Sequence, residues 1–324
     1  MSKHVLITEP IIPSVIHKLE KRYQVEVGER GTYNDEQALV DDIPAYDALL
    51  PMLSNPITEN VIAAGANLEI IANHAVGYNN IDLEAAQKHN VAVANTPDVL
   101  TDSCAEFAVG LMLAVSRRLF EAQEYLLDGK FNHWEPLGFL GKELNGSTLG
   151  IIGMGRIGTG VARRAKALGM KIIYHNRSKV DSGLEQELDA QYCSTVQDLV
   201  SQSDIITLHC PLTDETHHLI NEEMLSLMSD DAILINTSRG AVVDEEALAH
   251  ALHNGSIGGA ALDVFENEPE LHPKLKTAPN CLRTPHIASA SFQTREAIGM
   301  LAADAIIGVL EGQSASEIPN LIQP

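Results

Sequence analysis

Aromatic residues, clustered cysteines and basic charge are what this sequence has least of. Aromatic side chains make up 4% of the 324 residues, so aliphatic side chains must form most of any core. Lys and Arg number 22 against 44 Asp and Glu, a formal net charge of −22. Nucleic acids and anionic membranes bind basic surfaces, so we predict neither as a partner. An anionic ligand would instead need a few Arg or Lys side chains and helix N-termini.

The cysteines are widely spaced and include no Cys-x-x-Cys pair. They are Cys104, Cys193, Cys210 and Cys281. This spacing is typical of neither a disulfide framework nor a metal site, so we predict no bound metal. The first residues contain no apolar stretch of the kind found in signal peptides, and the longest apolar run, Phe107–Val115, is about half of a bilayer span. We therefore expect a reduced, soluble, cytoplasmic protein.

Short apolar segments alternate with helical segments in the first hundred residues. The predicted strands lie at 4–7, 46–50, 68–74 and 91–95, and a helix is predicted at 12–23. Such alternation indicates a parallel sheet covered on both faces. Because no Gly-rich turn follows the first strand, we do not expect a nucleotide in this half of the chain.

A long helix and a second series of strands follow. Ser103 and Glu106 have the spacing of a capping box before Phe107–Val115, and because that run is apolar on all sides we expect the helix to be buried. Six strands are predicted after it, as a doubly wound dinucleotide-binding fold requires. They lie at 148–153, 171–176, 204–210, 232–237, 259–264 and 281–286. The stretch from about Phe292 is helical and is expected to pack on the first domain.

These patterns predict an α/β protein with two doubly wound parallel-sheet domains, which also agrees with the number expected for a chain of 324 residues. Residues 1–100 and 287–324 form the first domain, a flavodoxin-like substrate domain. Residues 101–286 form the second, a Rossmann dinucleotide-binding domain inserted in the first.

The segment Gly153–Gly158 has the pattern GxGxxG between a predicted strand and a predicted helix. In this context the first glycine makes a tight turn, the second lets the backbone approach a pyrophosphate, and the third lets the helix pack closely on the strand. The helix N-terminus then faces the phosphates. The alternative is a turn whose glycines serve packing alone. We predict cofactor contacts from Gly153, Gly155, Arg156, Ile157 and Gly158.

The choice of cofactor depends on the end of the next strand. No acidic residue occurs between Thr159 and Val180 to bind the ribose 2′-hydroxyl of NAD. The strand is followed instead by Asn176, Arg177 and Ser178, and an Arg among small polar residues suits a 2′-phosphate. We therefore predict that these three residues bind the cofactor and that NADPH is preferred, with NAD possible. A solvated surface turn is the alternative interpretation.

Segments along nearly the whole chain resemble the D-isomer-specific 2-hydroxyacid dehydrogenase family, and its glyoxylate/hydroxypyruvate reductase branch most. These segments are VGYNNID, NTPDVLTDSCAEFAVGLML, LGIIGMGRIG, HCPLTDETHHLI, INTSRGAVVDEEAL, ALDVFENEP and TPHIASAS. The resemblance implies reduction of a small 2-keto acid, such as glyoxylate or hydroxypyruvate, to the D-2-hydroxy acid by hydride transfer from NAD(P)H. It does not identify the physiological keto acid or the direction of the reaction.

Reduction of a keto acid needs a cation to bind the carboxylate, an acid to protonate the developing alkoxide, and a group that favours the protonated acid. The resemblance assigns these roles to Arg239, His286 and Glu268, respectively. A guanidinium binds a carboxylate through two hydrogen bonds, and a carboxylate beside a histidine favours the imidazolium. A surface salt bridge is the alternative for Arg239. Glu266 and Glu270 compete with Glu268, and the family places the active residue directly before Pro.

The resemblance implies further contacts with both ligands. Asp263 is matched to binding of the nicotinamide carboxamide, with capping of a strand end as the alternative. The other cofactor contacts implied are Thr101, Cys210, Pro211, Thr237 and Ser238. The backbone N–H groups around Val76 and Gly77 are expected to bind the substrate carboxylate, Leu53 and Ser54 to line the pocket mouth, and Trp134 to reach the neighbouring subunit's site in a homodimer.

Two other interpretations share this fold. Formate dehydrogenases carry Gln where Glu268 stands, which disfavours that activity. C-terminal-binding-protein corepressors share the Arg–Glu–His set but would sense a nucleotide and bind a peptide with little turnover. The basic turn at Arg177 favours the enzyme.

Overall fold

The computed structural model describes residues 2–322 and divides the chain into two units. The first unit runs to Leu100 and resumes at Ala290, and the second is Thr101–Ser289. Residues 287–289, which we predicted to lie in the first domain, therefore lie in the second unit. The reason is that the backbone N–H groups of Ile287 and Ala288 donate to Asp263 in the second unit.

The first unit contains a five-stranded, entirely parallel sheet in the order β2-β1-β3-β4-β5. Its strands are β1 (His4–Ile7), β2 (Gln24–Val27), β3 (Ala48–Leu50), β4 (Ile70–Ala72) and β5 (Ala92–Ala94). This is the flavodoxin-like doubly wound order. The four predicted strands are confirmed, whereas β2 was not predicted. It is a four-residue edge strand whose side chains alternate between exposed and half-buried.

Among residues 2–322, five α-helices belong to this unit. They are α1 (Pro13–Glu20), α2 (Glu36–Asp42), α3 (Glu59–Ala64), α4 (Leu83–Lys88) and the last helix of the chain, Phe292–Leu310. The last helix begins at the predicted residue because the Ser291 side chain accepts a hydrogen bond from the Thr294 N–H. It packs closely on α1, since a Cβ at Gly299 would lie 2.7 Å from Val15. The prediction that this helix joins the first domain is therefore confirmed.

The second unit contains a seven-stranded parallel sheet in the order β12-β11-β10-β9-β6-β7-β8. Its strands are β6 (Thr148–Ile152), β7 (Lys171–His175), β8 (Ala190–Tyr192), β9 (Ile205–Leu208), β10 (Ile233–Asn236), β11 (Gly259–Leu262) and β12 (Cys281–Arg283). The order reverses at β6, and open α/β sheets bind ligands beyond the carboxyl ends of strands at such a point. The six predicted strands are confirmed, and β8, a three-residue edge strand, was missed.

The helices of the second unit are α5 (Thr101–Ser116), α6 (Leu119–Leu127), α7 (Arg156–Ala167), α8 (Ser182–Leu188), α9 (Val196–Val200), α10 (Glu222–Ser226) and α11 (Glu245–His253). The predicted capping box is wrong, because α5 begins before Ser103. The Ser103 hydroxyl donates instead to the carbonyl of Ala288, and Glu106 accepts from Arg164. The helix is not buried on all sides either, since Leu113 is 39% exposed. Within residues 2–322, no helix has both the length and the apolar character needed to cross a bilayer.

Candidate active site

The three glycines of the turn between β6 and α7 differ in their surroundings. Gly153 has φ +98°, and a Cβ there would lie 2.5 Å from the backbone nitrogen of Cys210. A Cβ at Gly158 would lie 2.2 Å from the Gly153 carbonyl oxygen, whereas one at Gly155 would meet no described atom within 4 Å. The helix α7, which begins directly after this turn, has no side-chain cap at its N-terminus. This arrangement fits a dinucleotide pyrophosphate.

The residues of the turn after β7 have two different roles: one side chain supports the backbone, and two others carry positive charge. The Asn176 side chain accepts a 2.7 Å hydrogen bond from the Met154 N–H, so it holds the glycine turn in place. Arg177 and Ser178 are exposed. The Lys179 ammonium lies 5.3 Å from the centre of the Tyr192 ring. Two cations therefore stand on the exposed part of this turn.

The other residues predicted to contact the cofactor differ in their exposure and in whether their polar groups already have hydrogen-bond partners. The Thr237 hydroxyl is buried and, within the described residues, has no hydrogen-bond partner, so its contact with a cofactor stays a prediction. The Ser238 hydroxyl donates to Asn236 at 2.9 Å. Burial raises the pKa of Cys210 to about 11, so its side chain is a neutral thiol at neutral pH. Pro211 is exposed, and Thr101 is the first residue of α5.

His286 and Glu268 form a hydrogen-bonded pair, with 2.8 Å between His286 Nδ1 and Glu268 Oε2. The other carboxylate oxygen accepts the Phe265 N–H at 3.0 Å. Burial alone would raise the pKa of Glu268, but the hydrogen bond and charge of His286, the Phe265 N–H and the charge of Arg239 together hold it below its ordinary value. Glu268 is therefore ionised at neutral pH and is hydrogen-bonded to the His286 ring.

The two competing glutamates have other surroundings. Glu266 accepts a 2.9 Å hydrogen bond from the Glu245 N–H and lies 3.1 Å from His218 Nε2. Glu270 is exposed, and its N–H donates to the Asn267 carbonyl at 2.8 Å. Of the three candidates, Glu268 is the one hydrogen-bonded to His286.

Asp263 is fully buried beyond the end of β11 and organises the loop that carries His286. One oxygen accepts from the Thr284 hydroxyl at 2.6 Å and the Ile287 N–H at 2.9 Å, and the other accepts the Ala288 N–H at 2.7 Å. Its carbonyl accepts the N–H of His286, a non-glycine residue held at φ +53°. Burial raises the pKa of Asp263, and these hydrogen bonds oppose the rise. Asp263 therefore acts as a strand-end cap, while contact with a carboxamide stays a prediction.

Arg239 follows β10 and is half-buried. Its guanidinium donates to the Ser238 carbonyl at 2.7 Å, and its own carbonyl accepts from the Asn236 side chain at 2.9 Å. Burial lowers the pKa of Arg239, and the charge of Glu268 opposes this shift. An arginine keeps its charge under such a shift, so the site has a permanent cation.

In the first unit, the loop after β4 presents backbone donors. The side chain of Asn73 donates to the Gly77 carbonyl and that of Asn95 to the Val76 carbonyl, each at 2.7 Å. Within residues 2–322, the N–H groups of Val76 and Gly77 make no hydrogen bond. Adjacent free N–H groups suit a carboxylate. The sequence analysis missed the two asparagines, although a polar residue directly after a buried strand is a recognisable pattern.

The other residues predicted to bind substrate are accessible. Leu53 is half-buried and Ser54 exposed in the loop after β3, and Trp134 is 77% exposed. Among residues 2–322, no group of three or more His, Cys, Asp or Glu side chains has the arrangement needed to bind a metal ion.

Comparison with known proteins gives consistent matches. The sequence model of the D-isomer specific 2-hydroxyacid dehydrogenase NAD-binding domain matches residues 109–288. The chain is 44% identical to a glyoxylate reductase of Thermococcus onnurineus over 99% of this chain and 96% of the relative. It is also 44% identical to a glyoxylate reductase of Aeropyrum pernix, over 98% of this chain and 95% of the relative.

A solved structure matches as well. It is an NADPH-dependent glyoxylate/hydroxypyruvate reductase from Sinorhizobium meliloti in complex with NADP and malonate, with a TM-score of 0.86, 33% identity and full coverage of both chains. Together with the GxGxxG turn and the paired His286 and Glu268, these matches show that the chain belongs to the D-isomer specific 2-hydroxyacid dehydrogenase family.

Proposed function

We propose that this protein reduces a small 2-keto acid, with glyoxylate and hydroxypyruvate as the first candidates, to the D-2-hydroxy acid. The observation that carries the proposal is the 2.8 Å pair of His286 and Glu268 in the unit that also contains the GxGxxG turn. Relatives named glyoxylate reductase, 44% identical over nearly the whole chain, support these substrates. The nicotinamide cofactor, when bound, supplies the hydride.

Each residue of the set has a distinct role in this proposal. Arg239 binds the carboxylate and polarises the carbonyl oxygen, because a guanidinium provides a fixed charge and several donors. His286 gives its proton to the developing alkoxide. Glu268 holds the imidazole in orientation and favours its protonated form. The free N–H groups of Val76 and Gly77 bind the carboxylate, and Leu53 and Ser54 line the pocket mouth.

The direct test is turnover by the purified protein. We expect NADPH to be oxidised in the presence of glyoxylate or hydroxypyruvate, with a higher kcat/KM for one member of a panel of 2-keto acids. Tight nucleotide binding without turnover of any keto acid would contradict the proposal. That outcome would favour the nucleotide-sensing scaffold.

We propose further that NADPH is preferred over NADH. Support comes from the two cations of the exposed turn, Arg177 and Lys179, and from the absence of an acidic residue between Thr159 and Val180. Arg177→Asp should lower kcat/KM for NADPH and raise it for NADH. Lys171→Asp is a matched control, since it makes the same charge change at the opposite end of β7. Equal or better use of NADH by the wild type would overturn this preference.

We also propose a homodimer in which Trp134 reaches the partner's site. Support comes from an exposed apolar surface formed by α6 and the segment after it. Leu127, Trp134 and Leu137 are 76%, 77% and 79% exposed, and large apolar side chains left in water favour association. Light scattering should give twice the monomer mass, and Trp134→Ala should raise the substrate KM more than Trp134→Phe. A monomer at micromolar concentration would contradict the dimer.

A further inference from the structure

Two glutamates, one of them close to Glu268 in the chain, are joined by a pair of hydrogen bonds. The side chain of each accepts from the backbone N–H of the other. The Glu245 N–H donates to Glu266 Oε1 and the Glu266 N–H donates to Glu245 Oε1, each at 2.9 Å. Glu245 is only 4% exposed. Burial raises its pKa, the Glu266 N–H opposes that shift, and the charges of Glu266 and Glu268 reinforce it. We refer to this reciprocal pair of Glu245 and Glu266 as the glutamate clamp.

The clamp joins the start of α11 to the loop that carries Glu268. Glu245 is the first residue of α11, while Glu266 lies two positions before Glu268 in the same loop. His218 Nε2 lies 3.1 Å from the same Glu266 oxygen that receives the Glu245 N–H, so a third segment is attached at this point. The Phe265 N–H, next to the clamp, is bound to Glu268.

Gly240 connects the clamp to Arg239. A Cβ at Gly240 would lie 1.9 Å from the carbonyl carbon of Phe265 and 2.3 Å from the nitrogen of Glu266. The backbone after Arg239 therefore lies directly against the peptide that the clamp holds. A displacement of residues 265–266 would move the supports of Glu268 and Arg239 together.

We infer that Glu245 and Glu266 are positioning residues that set the geometry of the Glu268–His286 pair. This inference rests on the proposed function. Two carboxylates near each other in a poorly hydrated place are unfavourable unless donors satisfy them, and here backbone N–H groups supply part of that compensation. An arrangement that serves only to begin α11 would need the Glu266 oxygen at the Glu245 N–H but not the return bond from Glu266. Together the two bonds tie the start of α11 to the loop bearing Glu268, so loss of either side chain should loosen that loop.

The test compares Glu266→Ala and Glu245→Ala with the wild type. Each should lower kcat by roughly 10–100-fold, the range expected when a catalytic group is misplaced by up to about 1 Å. The KM for NADPH should change little, and the fall of kcat with rising pH should move to lower pH, as we also expect for Glu268→Gln, which removes the charge beside His286. In the Glu268→Gln background, Glu266→Ala should add little, because both changes act through one pair.

Controls separate positioning from general loss of structure. Glu270→Ala alters an exposed glutamate of the same loop and should leave kcat unchanged. Glu266→Gln keeps an oxygen that accepts the Glu245 N–H, so it should retain most of kcat and should fold even if Glu266→Ala does not. An additive loss in the Glu268→Gln background, or an unmoved pH profile in a folded clamp variant, would overturn the inference.

A measurement without substrate separates this inference from the proposed function. The imidazole resonances of His286, assigned by their loss in His286→Gln, should shift in Glu266→Ala and Glu245→Ala and not in Glu270→Ala. Unshifted resonances would reject the clamp even in an active enzyme. If the wild type reduced no keto acid, shifted resonances would still show that the clamp positions His286.

Discussion

The two parallel sheets differ most where the chain leaves the first strand of each. Between β1 and α1 the turn contains no glycine, and α1 opens with Pro13, which has no N–H to offer an anion. Between β6 and α7, Gly153 takes a positive φ and Gly155 faces open space. Both sheets are doubly wound, so topology alone does not create a dinucleotide site. The residues of the turn between β6 and α7 are what distinguish the second sheet as a dinucleotide site.

The largest effect should come from removing the proposed proton donor of the second unit. His286→Ala should lower kcat by roughly 10²–10⁴-fold, the usual contribution of general acid–base catalysis. NADPH affinity, measured by fluorescence titration, should stay close to that of the wild type because the glycine turn is unaltered. His253→Ala, in α11 of the same unit, is the control. A fall in kcat of less than tenfold would show that His286 is not the proton donor.

A substitution at the open glycine tests the contrast between the two turns directly. A Cβ at Gly155 would meet no described atom within 4 Å, so the fold should survive Gly155→Val. It should weaken NADPH binding by about tenfold or more, because overpacking against a ligand costs about 1–3 kcal/mol. Pro10→Ala, in the turn between β1 and α1, should leave NADPH binding unchanged. Equal losses of NADPH affinity in Gly155→Val and Pro10→Ala would contradict the contrast between the two turns.

The pH dependence of Glu268→Gln examines the charge at the site. Reduction needs a protonated imidazole, so activity falls as the pH rises. Since the pKa of Glu268 lies below its ordinary value, the wild type keeps this charge at neutral pH. Removing it should move the fall in activity to lower pH while activity at mildly acidic pH is partly kept. An unmoved profile would show that Glu268 does not support His286.

The smallest effect should come from the first unit. Asn95→Ala removes the 2.7 Å hydrogen bond to the Val76 carbonyl and should loosen the loop proposed to bind the substrate carboxylate. One hydrogen bond contributes about 0.5–1.5 kcal/mol, so the keto acid KM should rise by roughly 2–10-fold. The NADPH KM should not change. A larger change for NADPH than for the keto acid would reverse the assignment of the two units.

Much of the fold follows from local patterns in the sequence. Buried strands such as β6 read as short apolar runs, and the last helix begins where Ser291 supplies a cap. The edge strands β2 and β8 were not predicted, because half-exposed or three-residue strands show little hydrophobic pattern. The false capping box at Ser103 arose because a Ser-x-x-Glu spacing also occurs inside a helix.

The site was predictable in its residue types but not in its geometry. Family resemblance was needed to choose Glu268 over Glu266 and Glu270, because spacing alone does not separate three glutamates in one loop. The hydrogen bonds that the His286 loop donates to Asp263 and the clamp at Glu245 join segments distant in the chain. Such contacts depend on tertiary packing, so only the structure reveals them.

Isotope transfer tests the central claim most directly, namely that this protein moves a hydride from NAD(P)H to the carbonyl carbon of a 2-keto acid. The wild type would receive hydroxypyruvate and NADPH carrying deuterium at both hydrogens of nicotinamide C4. We predict D-glycerate with one deuterium at C2 and none exchanged into solvent. Deuterium in solvent, or product of the L configuration, would contradict the account.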